Sequence, residues 1–444
     1  MDDLEIKIVL TYRVPEKGLN FNSLLRGLDQ DKDFLMQQVL LAIMKALEER
    51  AIEDYKKAHP GRYLRNGRQR RPRKLQTSFG PIRYQLAQVY DREKGEVFCP
   101  LVRKLRIESY RQYQREAMEA GIGQVIHLSY RLAGAEVRRI RGHGPAKSTL
   151  YRFLQEIAEG YGEWPSFKHR CFRFLMVDGT KVSLQGRGGR SKGKKEMRWA
   201  LASEGVGRPF ELVGFWVGKD WAFIRRELES RLKYKRLRVL FSDGGPGIET
   251  NLLARWMEQQ RCLWHGKRDF FYLLFQEGLK KRAQRPYRQL IENNPLFFLR
   301  KQQLEQLGRE DRPVVEKLVR VIKRSFKELL ASLPPDKYPK ARTYVANFYR
   351  HALLFFDYWL KGKGWLPLNT NLIEAAFSRL VNRIKHIGRR WSERGLVNWL
   401  RLAFRKIFYP ELWRKLWNQY LRLGKMLKLI VLKVEYRWVL NANT

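Results

Sequence analysis

The sequence predicts an α/β core that is interrupted by an all-α insertion and preceded by a mainly α-helical, basic N-terminal region. Three observations support this prediction. Five short apolar stretches between residues 171 and 265 are separated by polar turns and two helical stretches. Residues 270–360 show helical periodicity without strand patterns, and residues 21–58 space their apolar positions three and four apart. The length of 444 residues predicts two to four domains, at about 150 residues for each.

The charge of the chain predicts a polyanionic partner. Lys and Arg number 89 and Asp and Glu number 45, which gives a net charge of +44 that is spread along the whole chain. Such an excess repels itself in a compact fold unless a polyanion shares it, and nucleic acid is the usual one. A basic ribosome-associated protein or a membrane-surface protein is the alternative. The apolar fraction of 44% excludes a disordered chain.

Cysteine usage and hydropathy indicate a reducing, intracellular setting. Cys99, Cys171 and Cys262 form neither a disulfide framework nor a paired zinc motif. The N-terminal MDDLEIKIVL lacks the shape of a secretory signal, and no apolar run approaches the ~20 residues of a membrane helix. We therefore expect no membrane partner.

The first predicted region, residues 1–106, combines a helix with basic strands. The helix covers residues 21–58. The stretch GRYLRNGRQRRPRKLQTSFG and the following IRYQLAQVYD predict a loop that leads into short strands, and residues 107–131 are again predicted to be helical.

The second predicted region, residues 107–166, contains two short helices around the sequence HGPA. The first lies near Ala133–Arg141, and the second begins near Ser148 as its N-cap and has an apolar face of Leu150, Phe153, Leu154 and Ile157. This spacing fits a helix-turn-helix domain, and a plain helical hairpin with a basic exterior is the alternative. In a helix-turn-helix, four residues would face a DNA groove: Lys147, Thr149, Tyr151 and Arg152.

Residues 167–268 read as the first part of a mixed sheet. CFRFLMVD, EMRWALAS and FELVGFWVG predict three strands, and a helix at about 220–233 precedes a fourth strand, RLRVLFSD. The helix IETNLLARWMEQ and a short fifth strand, RCLWH, follow. This order is that of a ribonuclease-H-like sheet with helices on both faces. Residues 269–365 are the predicted helical insertion, and residues 366–444 are a core-closing helix with a basic helical tail.

Two aspartates end strands that lie side by side in this topology. Asp178 ends FRFLMV and Asp243 ends RVLFS, so we expect their carboxylates to meet at one sheet edge. Read singly, Asp178 could begin an Asp-Gly hairpin turn, and Asp243 could be a loop or helix-capping residue. Two adjacent carboxylates repel each other unless a cation lies between them, so the pair predicts a divalent metal.

Glu374 lies in the first turn of a predicted helix, NTNLIEAAFSRLVNRIKHIGRRW. It borders the apolar stripe of Ile373, Phe377, Leu380, Ile384 and Ile387. A metal ligand and a capping-box partner of Asn371 are the two interpretations of Glu374. The basic side of this helix predicts a phosphate-binding face or, as the alternative, a solvated charged face: Arg379, Arg383, Lys385, Arg389 and Arg390.

Cys262 and His265 form the motif C-L-W-H, which is weak as half of a zinc site because no matching pair lies elsewhere. A buried strand cysteine beside a structural histidine is the alternative.

Together these motifs resemble the Mutator-like DDE transposases of prokaryotic insertion sequences. The matching stretches are VDGTKV, RWALASEG, FELVGF, LFSDGGPGIE, QRCLWHGKRDF and NTNLIEAAFSRLVNRIK, and YLRNGRQRRPRKLQTSFG resembles a segment before the family's DNA-binding part. That family carries an acidic triad on a ribonuclease-H-like sheet and a Cys-x-x-His motif after the second aspartate. The basic GRGGRSKGKKE after the first strand departs from the family's pattern.

The resemblance implies an enzyme that cuts DNA and transfers strands at the terminal inverted repeats of an insertion sequence. It implies two Mg²⁺ or Mn²⁺ ions held by Asp178, Asp243 and Glu374, with His265 at the scissile phosphate or supporting the site. The implied partners are double-stranded terminal-repeat and target DNA and at least a second copy in a synaptic complex. The implied location is cytoplasmic and nucleoid-associated, in a prokaryote.

Three other functions remain possible from the sequence. A catalytically inactive, transposase-derived DNA-binding protein need not keep three acids. A structure-specific DNA nuclease would not need the basic N-terminal half. An RNA-binding protein would show aromatic ribonucleoprotein motifs, and the sequence contains none.

Overall fold

The computed structural model describes residue 9 and residues 20–108, 111–186, 190–299, 312–385 and 391–423. The chain divides into two compact units, Met1–Gly162 with Leu402–Thr444 and Glu163–Arg401. The finer division into five regions stays a prediction. Within the part of the chain that the structure describes, no helix is long and apolar enough to cross a membrane.

From residue 20 onward, the first unit contains one long helix followed by five short strands. Helix α1 spans Phe21–Ala58, as predicted. The strands are β1 (Tyr63–Arg68), β2 (Arg73–Thr77), β3 (Gly80–Tyr84), β4 (Ala87–Asp91) and β5 (Glu96–Phe98). Strand β4 pairs with both β1 and β5, and β2 pairs with β3. The basic stretch predicted to be a loop therefore contains two strands, because β3 and β4 supply partners for its backbone groups.

Four helices follow, α2 (Pro100–Leu105), α3 (Arg115–Val125), α4 (Tyr130–Arg141) and α5 (Lys147–Tyr161). The predicted helix over residues 107–131 is wrong in extent, since α3 fills only its middle. The apolar face of α5 is buried as predicted. Ser148 is not an N-cap, because it lies inside α5 and Ala146 takes the cap position.

The second unit contains a five-stranded mixed sheet. Its elements are β6 (Phe174–Gln185), β7 (Ser191–Ser203), β8 (Glu211–Val217), α6 (Trp221–Arg231), β9 (Val239–Ser242), α7 (Ile248–Leu252) and β10 (Glu258–Arg261). The strand order is β10-β9-β6-β7-β8. Strands β6, β9 and β10 run parallel, while β7 is antiparallel to both of its neighbours. The predicted order of elements and the adjacency of strands one and four are confirmed.

Two predicted boundaries near the fifth strand are wrong. Helix α7 is five residues long and does not reach residue 259. A turn follows it, in which Met257 N–H donates a hydrogen bond to Ala254 O at 2.8 Å. Strand β10 ends at Arg261, so RCLWH is not a strand. Cys262 takes the cap position of the next helix, α8 (Leu263–Gln276), and His265 lies in its first turn.

The described part of the chain after residue 262 is mainly helical, as predicted. It comprises α8, α9 (Arg285–Glu292), α10 (Arg312–Ala331), α11 (Pro339–Ala352), α12 (Leu354–Leu360), α13 (Asn371–Ile384) and α14 (Glu393–Ala403). Buried aromatic side chains, among them Phe270, Phe326 and Phe355, fill its core. A π-helical turn at Phe404–Phe408 and α15 (Pro410–Leu421) belong to the first unit. Helix α13 packs against β6 and β7 and so lies on the sheet.

Candidate functional site

Asp178 lies where strand β6 extends beyond its parallel neighbour. Strand β6 pairs with β9 as far as Met176 and Phe241, whereas its pairing with β7 continues to Gln185. Asp178 is opposite Trp199 in that second ladder, so it does not begin a hairpin turn and does not end its strand. Its side chain is buried, with 8% exposed. The Asp178 carboxylate therefore lies just beyond the point where β9 stops pairing with β6.

Asp243 follows β9 at the matching level. Because Met176 and Phe241 are paired in register, Asp178 and Asp243 each lie two residues beyond the last pair of parallel strands. The Asp243 Oδ1 accepts a hydrogen bond from Gly245 N–H at 2.8 Å, which orients the carboxylate. The sequence prediction that the two strands carry neighbouring aspartates therefore agrees with the register.

The electrostatics of Asp178 reflect burial and this neighbour. Burial is the larger cause and the charge of Asp243 the second, and together they raise the pKa of Asp178 from 3.8 to about 6. Hydrogen bonds from Gly179 N–H (2.6 Å) and the Thr370 hydroxyl (3.3 Å) oppose the shift. A bound cation would lower the pKa of Asp178 again, because it favours the ionised form of both carboxylates.

The turn after Asp243 is shaped by a buried arginine. Gly244 has a φ of +77°, and a Cβ at this position would overlap the Arg261 guanidinium. Arg261 is almost fully buried and donates to Glu249 at 2.8 Å. Glycine is therefore required at position 244 for two reasons, the positive φ of the backbone and the close approach of the Arg261 guanidinium.

Helix α13 brings Glu374 to the same place. Phe377, three residues further along, packs edge-on against Trp199 at 5.2 Å, and Trp199 is opposite Asp178. Glu374 is itself exposed. Ligand atoms of Asp178, His265 and Glu374 all lie within 4.8 Å of one another. Asp243 is not one of these three, although it is near enough for its charge to act on Asp178.

A buried polar network supports this group. The Thr370 hydroxyl lies 3.3 Å from Asp178 Oδ2 and 3.6 Å from Cys262 Sγ, and His265 Nδ1 lies 3.1 Å from the same sulfur. Burial is the largest single effect on both groups and disfavours the charged forms of Cys262 and His265. Their mutual hydrogen bond, their attraction as an ion pair and the contacts with Thr370 and Asp178 together outweigh it. The pKa of Cys262 is therefore lowered and that of His265 raised.

Backbone contacts position this network. Cys262 N–H donates to Ser242 O at 2.9 Å, which extends the pairing of β10 with β9 by one residue, and Leu263 N–H donates to Leu368 O at 3.0 Å. Sequence reasoning missed Thr370. The only signal for it was its position as the residue before the predicted helix, where capping is the usual role. Its hydroxyl makes no capping hydrogen bond.

The four residues predicted to face a DNA groove lie in the first two turns of α5. Lys147, Tyr151 and Arg152 are exposed and Thr149 is half-buried. Their role in DNA binding stays a prediction.

The basic side of α13 is only partly as expected. Arg379 is exposed, but Arg383 is buried, with its guanidinium 5.0 Å from the Trp391 ring centre and 6.0 Å from that of Trp399. Arg383 therefore does not lie on an exposed phosphate-binding face, because these indoles cover it. Arg389 and Arg390 lie outside the described residues.

Comparisons with known proteins cover parts of the chain. Residues 14–208 match the model of a family described as "Uncharacterised protein family (UPF0236)". This match includes Asp178 and ends before Asp243, His265 and Glu374. A curated relative, "UPF0236 protein in vanSb 3'region" of Streptococcus gallolyticus, is 26% identical over 224 residues. Those residues are 46% of this chain and 48% of the relative, so the chain spans about half the length of the curated relative it matches.

A solved structure also shows a similarity. It is the "Drosophila P element transposase strand transfer complex", with a TM-score of 0.36 and 10% sequence identity over 69% of this chain and 96% of that chain. A similarity this low establishes no common fold.

Proposed function

We propose that this chain is a DNA transposase that cuts and rejoins DNA with divalent metal ions held by Asp178, Asp243 and Glu374. The observation that carries the proposal is the convergence of acids from distant segments. Asp178 on β6 and Glu374 on α13 are 196 residues apart in the chain, yet their ligand atoms lie within 4.8 Å. Asp243 follows the adjacent strand in matching register.

The donor set fits a small divalent cation. Carboxylate oxygens suit Mg²⁺ and Mn²⁺, and the nearby imidazole of His265 makes Mn²⁺ acceptable as well. The repulsion between Asp178 and Asp243 supports the same conclusion, because a bound cation would relieve it and favour the ionised form of both carboxylates. Bound ions would activate a water or a 3′-hydroxyl for attack on a phosphodiester and stabilise the leaving oxygen.

The protein's own residues supply position and charge. Thr370 and Gly179 hold both oxygens of Asp178 by hydrogen bonds. The Cys262 sulfur holds the His265 ring through Nδ1, so that the ring stays beside Asp178 and Glu374. Phosphoryl transfer depends mainly on such positioning and on charge neutralisation. We propose that His265 contacts the scissile phosphate or supports the metal ligands.

The finer assignments are parts of the same proposal. The strand order β10-β9-β6-β7-β8, with β7 antiparallel to its neighbours, is the arrangement expected of a ribonuclease-H-like sheet. The motifs VDGTKV, LFSDGGPGIE and NTNLIEAAF support a Mutator-like DDE enzyme. The net charge of +44 supports duplex DNA as the partner. Terminal inverted repeats as the substrate, a synaptic dimer or larger assembly, and a nucleoid location follow from this proposal.

Metal-dependent cleavage and strand transfer on DNA that carries the element's own ends test the proposal. The variants are Asp178→Asn, Asp243→Asn and Glu374→Gln, and Glu229→Gln, an exposed acid on α6 paired with Arg225, is the matched control. We expect each of the three to lose at least about 10³-fold in rate while DNA binding persists, and the control to retain its rate.

Other results would change the assignment. Binding without cleavage by the wild-type chain with Mg²⁺ or Mn²⁺ would indicate a transposase-derived DNA-binding protein. Cleavage without strand transfer, at branched DNA of any sequence, would indicate a structure-specific nuclease.

A further inference from the structure

Helix α8 carries large aromatic side chains on its exposed face. Trp264, Tyr272 and Phe275 are 56%, 60% and 55% exposed. At 100° per residue these three and Arg268 fall within an arc of about 80°, and we call the four residues the α8 stripe. The opposite side of the helix is buried through Leu263, Phe270 and Leu274. Exposed aromatic side chains along one helix face make this surface a candidate binding site.

Cations accompany the rings of this region. The Arg268 guanidinium lies 5.1 Å from the Trp264 ring centre, and that of Arg288 lies 5.1 Å from the ring centre of Phe271. The two acids nearest to the stripe, one on α8 and one at its C-cap, already have partners. Asp269 pairs with Arg268 at 2.7 Å, and the Glu277 carboxylate accepts the backbone N–H groups of Lys340 and Ala341. Arg268 therefore has an acid partner, and the positive charge of this surface comes from Lys281 and Arg288 at the far end of the stripe.

The far end of the stripe opens into a cavity of about 480 Å³. Its lining combines three aromatic rings with two cations and one amide: Phe271, Tyr272, Phe275, Lys281, Gln284 and Arg288. Gln284 is buried and donates to Phe271 O (3.2 Å) and Leu279 O (2.8 Å), which fixes the wall of the cavity to α8. A planar aromatic ligand with an attached negative charge fits such a lining.

The stripe begins at the candidate metal centre. The Trp264 ring makes an edge-to-face contact with the His265 ring, with 5.2 Å between centres and an angle of 90°. From His265 to Phe275 the helix rises by about 15 Å, which corresponds to about four nucleotides at the spacing of one DNA strand.

We propose that the α8 stripe binds unpaired bases of a DNA strand next to the candidate metal centre, and that the cavity holds one unstacked base. This inference rests on the proposed function only for the statement that this strand is the one to be cut. Bases would stack on the three rings, and Arg268, Lys281 and Arg288 would contact phosphates. An apolar helix of another protein fits less well, because docking it would bury Lys281 and Arg288 against apolar side chains.

Single-strand binding without metal tests the inference independently of cleavage. The probe is fluorescein-labelled oligo(dT) of about twenty nucleotides, compared with a random-sequence duplex of equal length, in EDTA. The variants of the full chain are Trp264→Ala, Tyr272→Ala and Phe275→Ala. Trp256→Ala is the matched control, since Trp256 is 40% exposed and precedes β10, whereas Trp264 follows it. Circular dichroism verifies folding, and Trp264→Phe tests rescue by a second ring.

The expected result is a loss of single-strand affinity of at least about five-fold for each stripe variant, with duplex affinity changed less than two-fold. Trp256→Ala retains both affinities and Trp264→Phe restores most of the loss. Equal losses for both DNA forms, or none for either, would overturn the inference. A change in oligomeric state by light scattering with unchanged DNA binding would also overturn it and identify the stripe as a protein interface. If the selective loss holds but the wild-type chain never cleaves DNA, the single-strand site stands and the transposase proposal fails.

Discussion

The Thr370 hydroxyl lies 3.3 Å from Asp178 Oδ2, although 192 residues separate them in the chain. Thr370 is 1% exposed and directly precedes α13, the helix that carries Glu374. This contact therefore joins the closing helix to the central strand of the sheet at the candidate metal centre. It helps to hold Glu374 near Asp178, although four strands and several helices separate the two acids in the chain.

Thr370→Val removes this hydroxyl with little change in volume. We expect metal affinity and the rate of cleavage to fall about ten-fold each. Asp178 would lose the hydroxyl that orients its carboxylate, and the Cys262 sulfur would lose its contact with the same hydroxyl. Calorimetric titration with Mn²⁺ and single-turnover cleavage measure the two effects. Thr370→Ser keeps the hydroxyl and is the control. Equal losses in Val and Ser variants would show that the methyl group, not the hydrogen bond, matters.

Asp178→Asn should stabilise the metal-free protein at neutral pH. The folded-state pKa of about 6 lies above the ordinary 3.8, so the ionised carboxylate costs stability that grows from pH 3.8 to 6 and is complete above pH 6. The difference corresponds to about 3 kcal/mol at most, and we expect the neutral amide to recover about 1–3 kcal/mol. Denaturation by urea at pH 7.5 in EDTA measures it. An Asn variant less stable than wild type would contradict the assigned burial and repulsion.

Metal binding should weaken in mild acid. Below pH 6 the metal must displace a proton from Asp178, so the apparent affinity should fall by up to about ten-fold for each pH unit below 6. Mn²⁺ titrations from pH 5 to pH 8 give the profile. The raised pKa of His265 adds to the loss of metal affinity in acid, because the protonated ring repels a cation. A flat profile would show that Asp178 is not a ligand.

Gly244→Ala should destabilise the sheet edge strongly. The new Cβ would displace the Arg261 guanidinium from its buried pair with Glu249, and the backbone angle is unfavourable. We expect a loss of about 3 kcal/mol or more. Gly278→Ala isolates the backbone contribution, because Gly278 also has a positive φ (+91°) but no atom near the added Cβ, and should cost about 1 kcal/mol. Similar losses in the two variants would show that the Arg261 contact is unimportant.

The sheet and its two aspartates were predictable because their signals are local. Apolar runs such as FRFLMV and RVLFS reveal strands, and the parallel pairing of these two strands in register predicts that Asp178 and Asp243 are close. Helix α13 was predictable for the same reason, since Ile373, Leu380 and Ile384 recur at helical spacing and are buried.

The details of the site depend on contacts between distant segments, which local patterns do not encode. Asp178 looked like a strand end because the polar residues after it resemble a turn, but pairing with β7 extends β6 to Gln185. Cys262 and His265 were predicted on a strand because RCLWH is apolar, yet the strand ends when β9 ends. Arg383 looked exposed because only its own helix was considered, and Trp391 and Trp399 cover it.

The position of a bound metal ion tests the central claim most directly. Crystals of the full chain soaked in Mn²⁺ give anomalous scattering that locates the ion without any assumption about the reaction. The account predicts a peak bounded by Asp178, Asp243 and Glu374, which disappears in Asp178→Asn. A peak elsewhere in the chain, or none at this site at saturating Mn²⁺, would contradict the proposal that these three acids hold the catalytic metal.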